Sequence, residues 1–355
     1  MEWQLSPTTA MLLEKAGRAI GWLEHAHRSN MPSEAGMWNT LLNEAHASAT
    51  LAYGPVRRDR ARAKLAEGRD WVSDMHDAPT AAAGMLQVLT GLTPQQPQWH
   101  PDPIVAGMMR LTESQPSALK RGGSALPSFT EGFAQDVSDL LSNHNAPALV
   151  KAALAMLTAA AVDPDDPHTG MLARHLFLQV LMEADGCAYQ WVPPVSWGLL
   201  ASPGDWERVA SVFAVDGAPS RVAVDDALAT VFRAVAHGAM TMGYFVEGAG
   251  GDARQIAAAL KPESRLVTRS QRKVIDVLVG LHSVTYAQLQ SLTEVGPRTL
   301  SRVLAELEAT GHVDVKAHRS DRALDVVRAR RLLWKPVLEA IRHYPLPGEP
   351  WPDAA

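Results

Sequence analysis

Between residues 269 and 331 apolar residues recur at helical spacing in three short runs, and the chain then switches to two runs of strand-forming residues. Few folds accommodate that order. In RSQRKVIDVLVGL, Val274, Ile275, Leu278 and Leu281 form one stripe of an amphipathic helix. Thr285 is placed to cap a second helix, TYAQLQSL, with Ala287 and Leu289 turned inward. A short turn, Thr293-Glu294-Val295-Gly296, leads to Pro297, a residue tolerated at a first helical position. The third helix then places Leu300, Val303, Leu304 and Leu307 on an apolar face, leaving Arg298, Thr299, Ser301 and Arg302 to point elsewhere. Gly311 stops it. HVDVKAHRSDRALDVVR supplies strands at Val313–Lys316 and Ala323–Val327, joined by a basic tip.

Helix, turn, helix and a two-stranded wing in this order read as a winged helix-turn-helix, whose default partner is double-stranded DNA. Arg298, Thr299, Ser301 and Arg302, beside Pro297, occupy the end of the third helix that enters a major groove. Lys316, His318, Arg319 and Arg322 of the wing are expected on phosphates, and Thr285 and Tyr286 complete the expected contact set. Charge agrees. Residues 265–331 hold twelve Lys and Arg against seven Asp and Glu, a local +5, so in a chain of net charge −5 the remainder carries −10. The alternative is a winged helix that binds only protein, with its arginines solvated.

Ahead of this unit helical signals dominate. Helices are expected at Thr8–Ala26, Met37–Ala52, Pro55–Ala66, Thr80–Leu92, Pro103–Leu111, Phe129–Leu141, Ala146–Val162 and Gly170–Ala184, then at 204–212 and 223–247. Pro- and Gly-rich loops are expected at 93–104, 121–128, 163–169 and 192–204, and Gly248–Gly251 as a flexible linker. The fold class is thus mainly α: a helical domain over 1–260, a small α+β domain over 261–345 and a Pro-rich flexible tail over 346–355. The apolar run at 330–344 is expected to pack back on the large domain or to form a dimer seam.

The single Cys187 excludes an intrachain disulfide and a multi-cysteine zinc site. No signal peptide is read at the amino terminus, and Lys151 interrupts the most apolar stretch, so no membrane association is expected. An excess of Arg over Lys and abundant Ala point to a GC-rich bacterial genome. A cytoplasmic protein, nucleoid-associated when bound to DNA, is expected.

The apolar helix LVKAALAMLTAAAV runs into DPDDPHTGMLAR and then HLFLQVLMEADG. That arrangement resembles the Fic/Doc family of adenylyl- and phosphotransferases, in the subgroup with a carboxy-terminal winged helix. The family signature is His-Pro-Phe-x-Asp-Gly-Asn-Gly-Arg-x-Gly-Arg. Aligned without gaps, Pro164, Gly170 and Arg174 match, whereas Asp163 replaces the catalytic histidine, Asp165 the phenylalanine, Pro167 the metal-binding acid, Thr169 the asparagine and Met171 the first arginine. The resemblance therefore implies a Fic-like helical bundle without nucleotide transfer, because Pro167 offers neither a metal ligand nor an amide and Met171 cannot clamp phosphate. Likewise Glu44-Ala45-His46-Ala47-Ser48-Ala49-Thr50-Leu51-Ala52-Tyr53 keeps the opening of the family's restraining helix and has Ala52 at its key glutamate.

Other constellations weigh less. Asp163, Asp165, Asp166 and His168 gather metal-type ligands, but two prolines stiffen their loop, so no metal is expected. His25 and His27 point to different helix faces, and His168 and His175 lack further zinc ligands. Gly248–Gly251 lacks the strand and Lys-Ser/Thr pair of a phosphate loop. The basic run from Arg57 to Lys64 reads as a solvated face or an extension of a DNA surface, and Lys120 and Arg121 as a surface turn or an aligning hairpin.

These readings lead to a non-enzymatic transcriptional regulator with no catalytic residues, cofactor or metal, acting as a homodimer on duplex DNA with a small-molecule or protein effector at its Fic-like domain. The alternatives are a nucleotidyl-transferring or nucleotide-sensing protein, and a protein–protein adaptor.

Overall fold

The computed structural model describes residues 5–31, 33–55, 75–89, 146–161, 165–184, 194–211, 219–260, 267–317 and 325–329, together with residues 60, 64, 67 and 71. They are mainly helical, with one small sheet. A helical body comprises α1 (Pro7–Ser29), α2 (Ala35–Tyr53), α3 (Ala78–Leu89), α4 (Ala148–Ala160), α5 (Pro167–Ala184), α6 (Val195–Leu199), α7 (Pro203–Ala210) and α8 (Arg221–Leu260). There follow α9 (Arg269–Leu281), β1 (Ser283–Thr285), α10 (Tyr286–Thr293), α11 (Pro297–Ala309), β2 (Val313–Lys316) and β3 (Val326–Ala329). The helices expected at 103–111 and 129–141, most of 55–66, and the segments 330–344 and 346–355 lie outside the described residues.

Ser6 caps α1 by accepting from the Thr9 amide, and Pro7 fits the first turn. Asp225, on α8, accepts from the Ser6 amide and the Thr9 hydroxyl, both at 2.9 Å. At the far end Arg254 donates to Asn30 at 2.6 Å, so α1 and α8 run parallel along most of the shorter helix. With 40 residues, α8 is about 60 Å long. It passes straight through Gly248–Gly251, which is therefore not a linker. The correction has a packing cause: a Cβ at Gly250 would collide with Asn30, and Ala249, Asp252 and Ala253 are buried around it. Close helix contact here outweighs the roughly 1 kcal/mol by which each helical glycine is disfavoured.

The expected loop at 192–204 likewise contains a helix, α6. Glu44 on α2 accepts from the Ser196 and Trp197 amides at 2.8 and 3.1 Å, satisfying a helix start from a distant element. In the body core, Leu154, Met156, Leu157 and Phe177 are fully buried. Side chains of this size contribute about 1.5–3 kcal/mol each on burial.

Local chemistry defines the carboxy-terminal unit. Thr268 with Gln271 and Thr285 with Gln288 form capping boxes at α9 and α10. Gly311, at φ +76°, closes α11 with the His312 amide on the Leu307 carbonyl and the Gly311 amide on Glu308, a Schellman arrangement. The sheet is antiparallel in the order β1-β3-β2, with Val284 and Val315 both opposite Val327. β2 lies where expected, β3 runs over 326–329 while 323 and 324 of the expected strand lie outside the described residues, and β1 is an additional strand. Ala287 is exposed, whereas Leu289 is buried as expected.

One apolar core runs from the body into this unit. Beyond the expected stripe of Val274, Ile275, Leu278 and Leu281, α9 also buries Asp276, Val277, Val279 and Gly280. A second face of α9 meets the start of α2. There Asp276 accepts from the Ser33 hydroxyl at 2.7 Å and the Glu34 amide at 3.0 Å, and Asn39 donates to the Gly280 carbonyl at 3.4 Å.

Burial raises the Asp276 pKa from 3.8 to about 6, against the opposing effect of its hydrogen bonds. A raised carboxyl contributes stability in full below its unfolded pKa, and that contribution is lost as pH rises through about 6. The gap is worth up to about 3 kcal/mol. In parallel urea titrations between pH 4 and 8, the stability of wild type relative to Asp276→Asn should fall with rising pH. A pH-independent difference would contradict the assignment.

Candidate nucleic-acid interface

The amino-terminal turns of α11 are built from both sides. Pro297 occupies its first turn, and Leu300, Val303, Leu304 and Leu307 are all buried. That burial orients the opposite surface: Pro297, Arg298 and Arg302 are exposed, and Thr299 and Ser301 are half-buried. Arg298 and Arg302, four residues apart, share a helix side. The turn before α11 is held from α9, where Lys273 donates to the Thr293 carbonyl at 3.1 Å and approaches Glu294 at 3.4 Å. Glu294, rather than a glycine, takes the left-handed conformation there, at φ 55°.

Two residues of the expected contact set are buried. Thr285 is 1% exposed, its hydroxyl accepting from the Gln288 amide, so it is a cap and cannot reach a ligand. Tyr286 is 7% exposed; its hydroxyl donates inward to the Pro297 carbonyl at 2.9 Å and lies 3.1 Å from Ser301 Oγ. Thr285 ends β1 opposite Val326 of β3, and the Tyr286 hydroxyl is drawn to the first turn of α11. Lys316 is exposed at the end of β2. His318, Arg319 and Arg322 lie outside the described residues. Arg328, which the sequence reading passed over, is exposed on β3 opposite Asp314.

The segment resembling a transferase loop is occupied internally. Asp163 and Pro164 lie outside the described residues, while Pro167, Thr169, Gly170, Met171 and Arg174 all lie on α5. Asp166 caps that helix, accepting from the Thr169 amide at 3.0 Å, the Thr169 hydroxyl at 2.9 Å and the His168 amide at 3.3 Å. A helix start that could receive a phosphate thus holds a carboxylate of its own. Met171 is in the core. Arg174 is 1% exposed; it donates to the Ser48 carbonyl at 2.9 Å and hydroxyl at 3.3 Å, and stacks over Trp206 at 5.2 Å.

Burial lowers the Arg174 pKa to about 10, with Glu44 acting in the opposite sense. Glu44 is itself raised by burial, against its bonds to Ser196 and Trp197 and the charge of Arg174. The direct link between α5 and α2 is Arg174 on Ser48, with the Glu44 charge acting on it from elsewhere on α2. Tyr53 donates to the Met75 carbonyl at 2.7 Å, so the His168 ring, 2.9 Å away, acts as donor to its oxygen. Burial raises the Tyr53 pKa and lowers that of His168. Among the described residues there is no group of three metal-type ligands, and no helix is long and apolar enough to cross a membrane.

No protein-family model matches the chain, and no curated protein matches it in sequence.

Proposed function

We propose that the protein is a sequence-specific DNA-binding transcriptional regulator. Residues 269–331 serve as the winged helix-turn-helix, with α11 as the recognition helix. The Fic-like body is catalytically inactive, works without a cofactor, and serves as scaffold, oligomerisation surface or effector-sensing module. The observation that carries this reading is the pair of exposed arginines, Arg298 and Arg302, on the solvent side of α11 at the end best suited to enter a major groove. Arginine forks onto guanine, and symmetric pairing of two copies would combine two half-sites. A bacterial cytoplasmic location goes with this function. Internal use of Asp166, Met171 and Arg174 favours the scaffold over the nucleotide-transfer alternative.

Arg298→Ala should weaken binding to the protein's own site by about 1–3 kcal/mol, while affecting unrelated DNA far less. Titrations of both duplexes over a range of salt concentrations measure this. Absence of salt-sensitive binding to its own upstream DNA and to bulk genomic DNA would defeat the proposal.

A further inference from the structure

A very short connection sets the direction of α11. Only Glu294, Val295 and Gly296 separate the last residue of α10 from Pro297 at the start of α11. The Thr293 carbonyl ends α10, and the residue four further on, whose amide would satisfy it in a continuing helix, is Pro297, which has no N–H. Another helix supplies a donor: Lys273 Nζ, on α9, lies 3.1 Å from that carbonyl and 3.4 Å from Glu294 Oε2. An ammonium placed there also meets the negative end of the α10 dipole.

The peptide held by Lys273 is the one at which the chain turns. Glu294 follows it in the left-handed conformation, at φ 55°, which a non-glycine residue keeps only where its surroundings over-determine it. Farther along α11, Gln271 Nε2 donates to Glu306 Oε2 at 2.6 Å, so α9 bonds to the entry of α11 and to its later turns. On its other side α9 is fastened to α2 through Asp276 and the Gly280 carbonyl. The donor is therefore carried by a helix that is itself fixed. Arg298 and Arg302 stand exposed on the helix whose entry it holds.

We propose that Lys273 is a positioning residue for DNA recognition: its bond to the Thr293 carbonyl fixes the angle at which α11 leaves the turn, and so where Arg298 and Arg302 meet the bases, without Lys273 touching DNA; this rests on the DNA reading above. Loss of the bond lets α11 take other orientations, and affinity for a specific site falls with the fraction of molecules left in the competent one. Non-specific binding follows charge rather than base geometry and is spared when charge is conserved.

The test begins with selection of duplexes from a randomised library by the full-length protein, followed by titration of wild type and variants on the enriched duplex and on an unrelated one over a range of salt. Lys273→Met combined with Glu294→Gln removes both ends of the contact and leaves the net charge unchanged. This double variant should lose roughly three- to tenfold on the enriched duplex, with its affinity for the unrelated duplex and its salt slope unaltered. Glu294→Gln alone keeps the carbonyl bond and gives up only a largely exposed carboxylate, so it should stay within about twofold of wild type. Lys273→Arg keeps a charged donor and should retain most of the selectivity. An equal loss on both duplexes, a salt slope reduced by about one as for a phosphate contact, a double variant as selective as wild type, or Lys273→Arg falling as far as the double variant would overturn the proposal while the DNA reading stands. No enriched sequence and no salt-sensitive binding would overturn both.

Discussion

Replacing Arg174 with Ala should lower the unfolding free energy by about 3–5 kcal/mol, the loss expected when a large buried side chain leaves a cavity and its hydrogen-bond partners lose their donor. The guanidinium is inaccessible, bonded twice to Ser48 and stacked on Trp206, with the charge of Glu44 opposing the cost of its burial. Its removal leaves the Ser48 carbonyl without that donor, opens a cavity and takes away a positive charge that favours the Glu44 carboxylate. Glu44 keeps its two amide donors, which limits the damage on that side. Arg174→Lys should fall between wild type and Ala, since it retains charge and loses the planar fork. Urea titration checks the series. A change below about 1 kcal/mol for Arg174→Ala would show that the buried guanidinium is dispensable.

Gly280→Ala should destabilise the protein by about 1–3 kcal/mol, as overpacking of a tight core does, although alanine is the better helix former. An added methyl would collide with Trp38 Cβ, come within 2.8 Å of the Ala35 carbonyl and stand 3.1 Å from the Asn39 amide. Two of those obstacles are backbone, so relief requires α9 and α2 to separate. The same movement lengthens the Asp276 contacts with Ser33 and Glu34, which lie about one turn away on α9. The expected signature is thus lower stability together with faster amide exchange at the start of α2. Gly17 is a suitable control, because a methyl there meets nothing within 4 Å and Gly17→Ala should be neutral or stabilising.

Much of the carboxy-terminal unit is legible from the chain because local chemistry determines it. Thr268, Thr285, Pro297 and Gly311 each act on backbone within a turn of themselves, and the apolar stripe of α11 has one period and one buried side. The α9 stripe was read correctly and incompletely. Its spacing shows the face turned to the three-helix unit, while the burial of Asp276 and Gly280 depends on α2, more than 230 residues away in sequence. A glycine and an acid on an otherwise apolar helix were the available signals, yet both are equally ordinary on a solvated face.

The candidate contact set divides in the same way. Arg298 and Arg302 emerge exposed because the apolar period of α11 alone assigns them to the outer side. Thr285 and Tyr286 do not, because no period reveals that β3 pairs with one and that the first turn of α11 receives the hydroxyl of the other. β1 also escaped notice, three residues whose only reason to be a strand is the partner β3.

By itself the sequence determined a mainly helical chain, the capped and terminated helices of its last third and the arginine side of α11. Those properties follow from side-chain chemistry and from contacts within a few residues. Only the tertiary structure decided that Gly248–Gly251 continues a helix, that Arg174 is consumed internally, and that α9 belongs to both parts of the molecule. Each of these depends on which distant backbone arrives within a few ångströms, and close packing rather than residue type settles that.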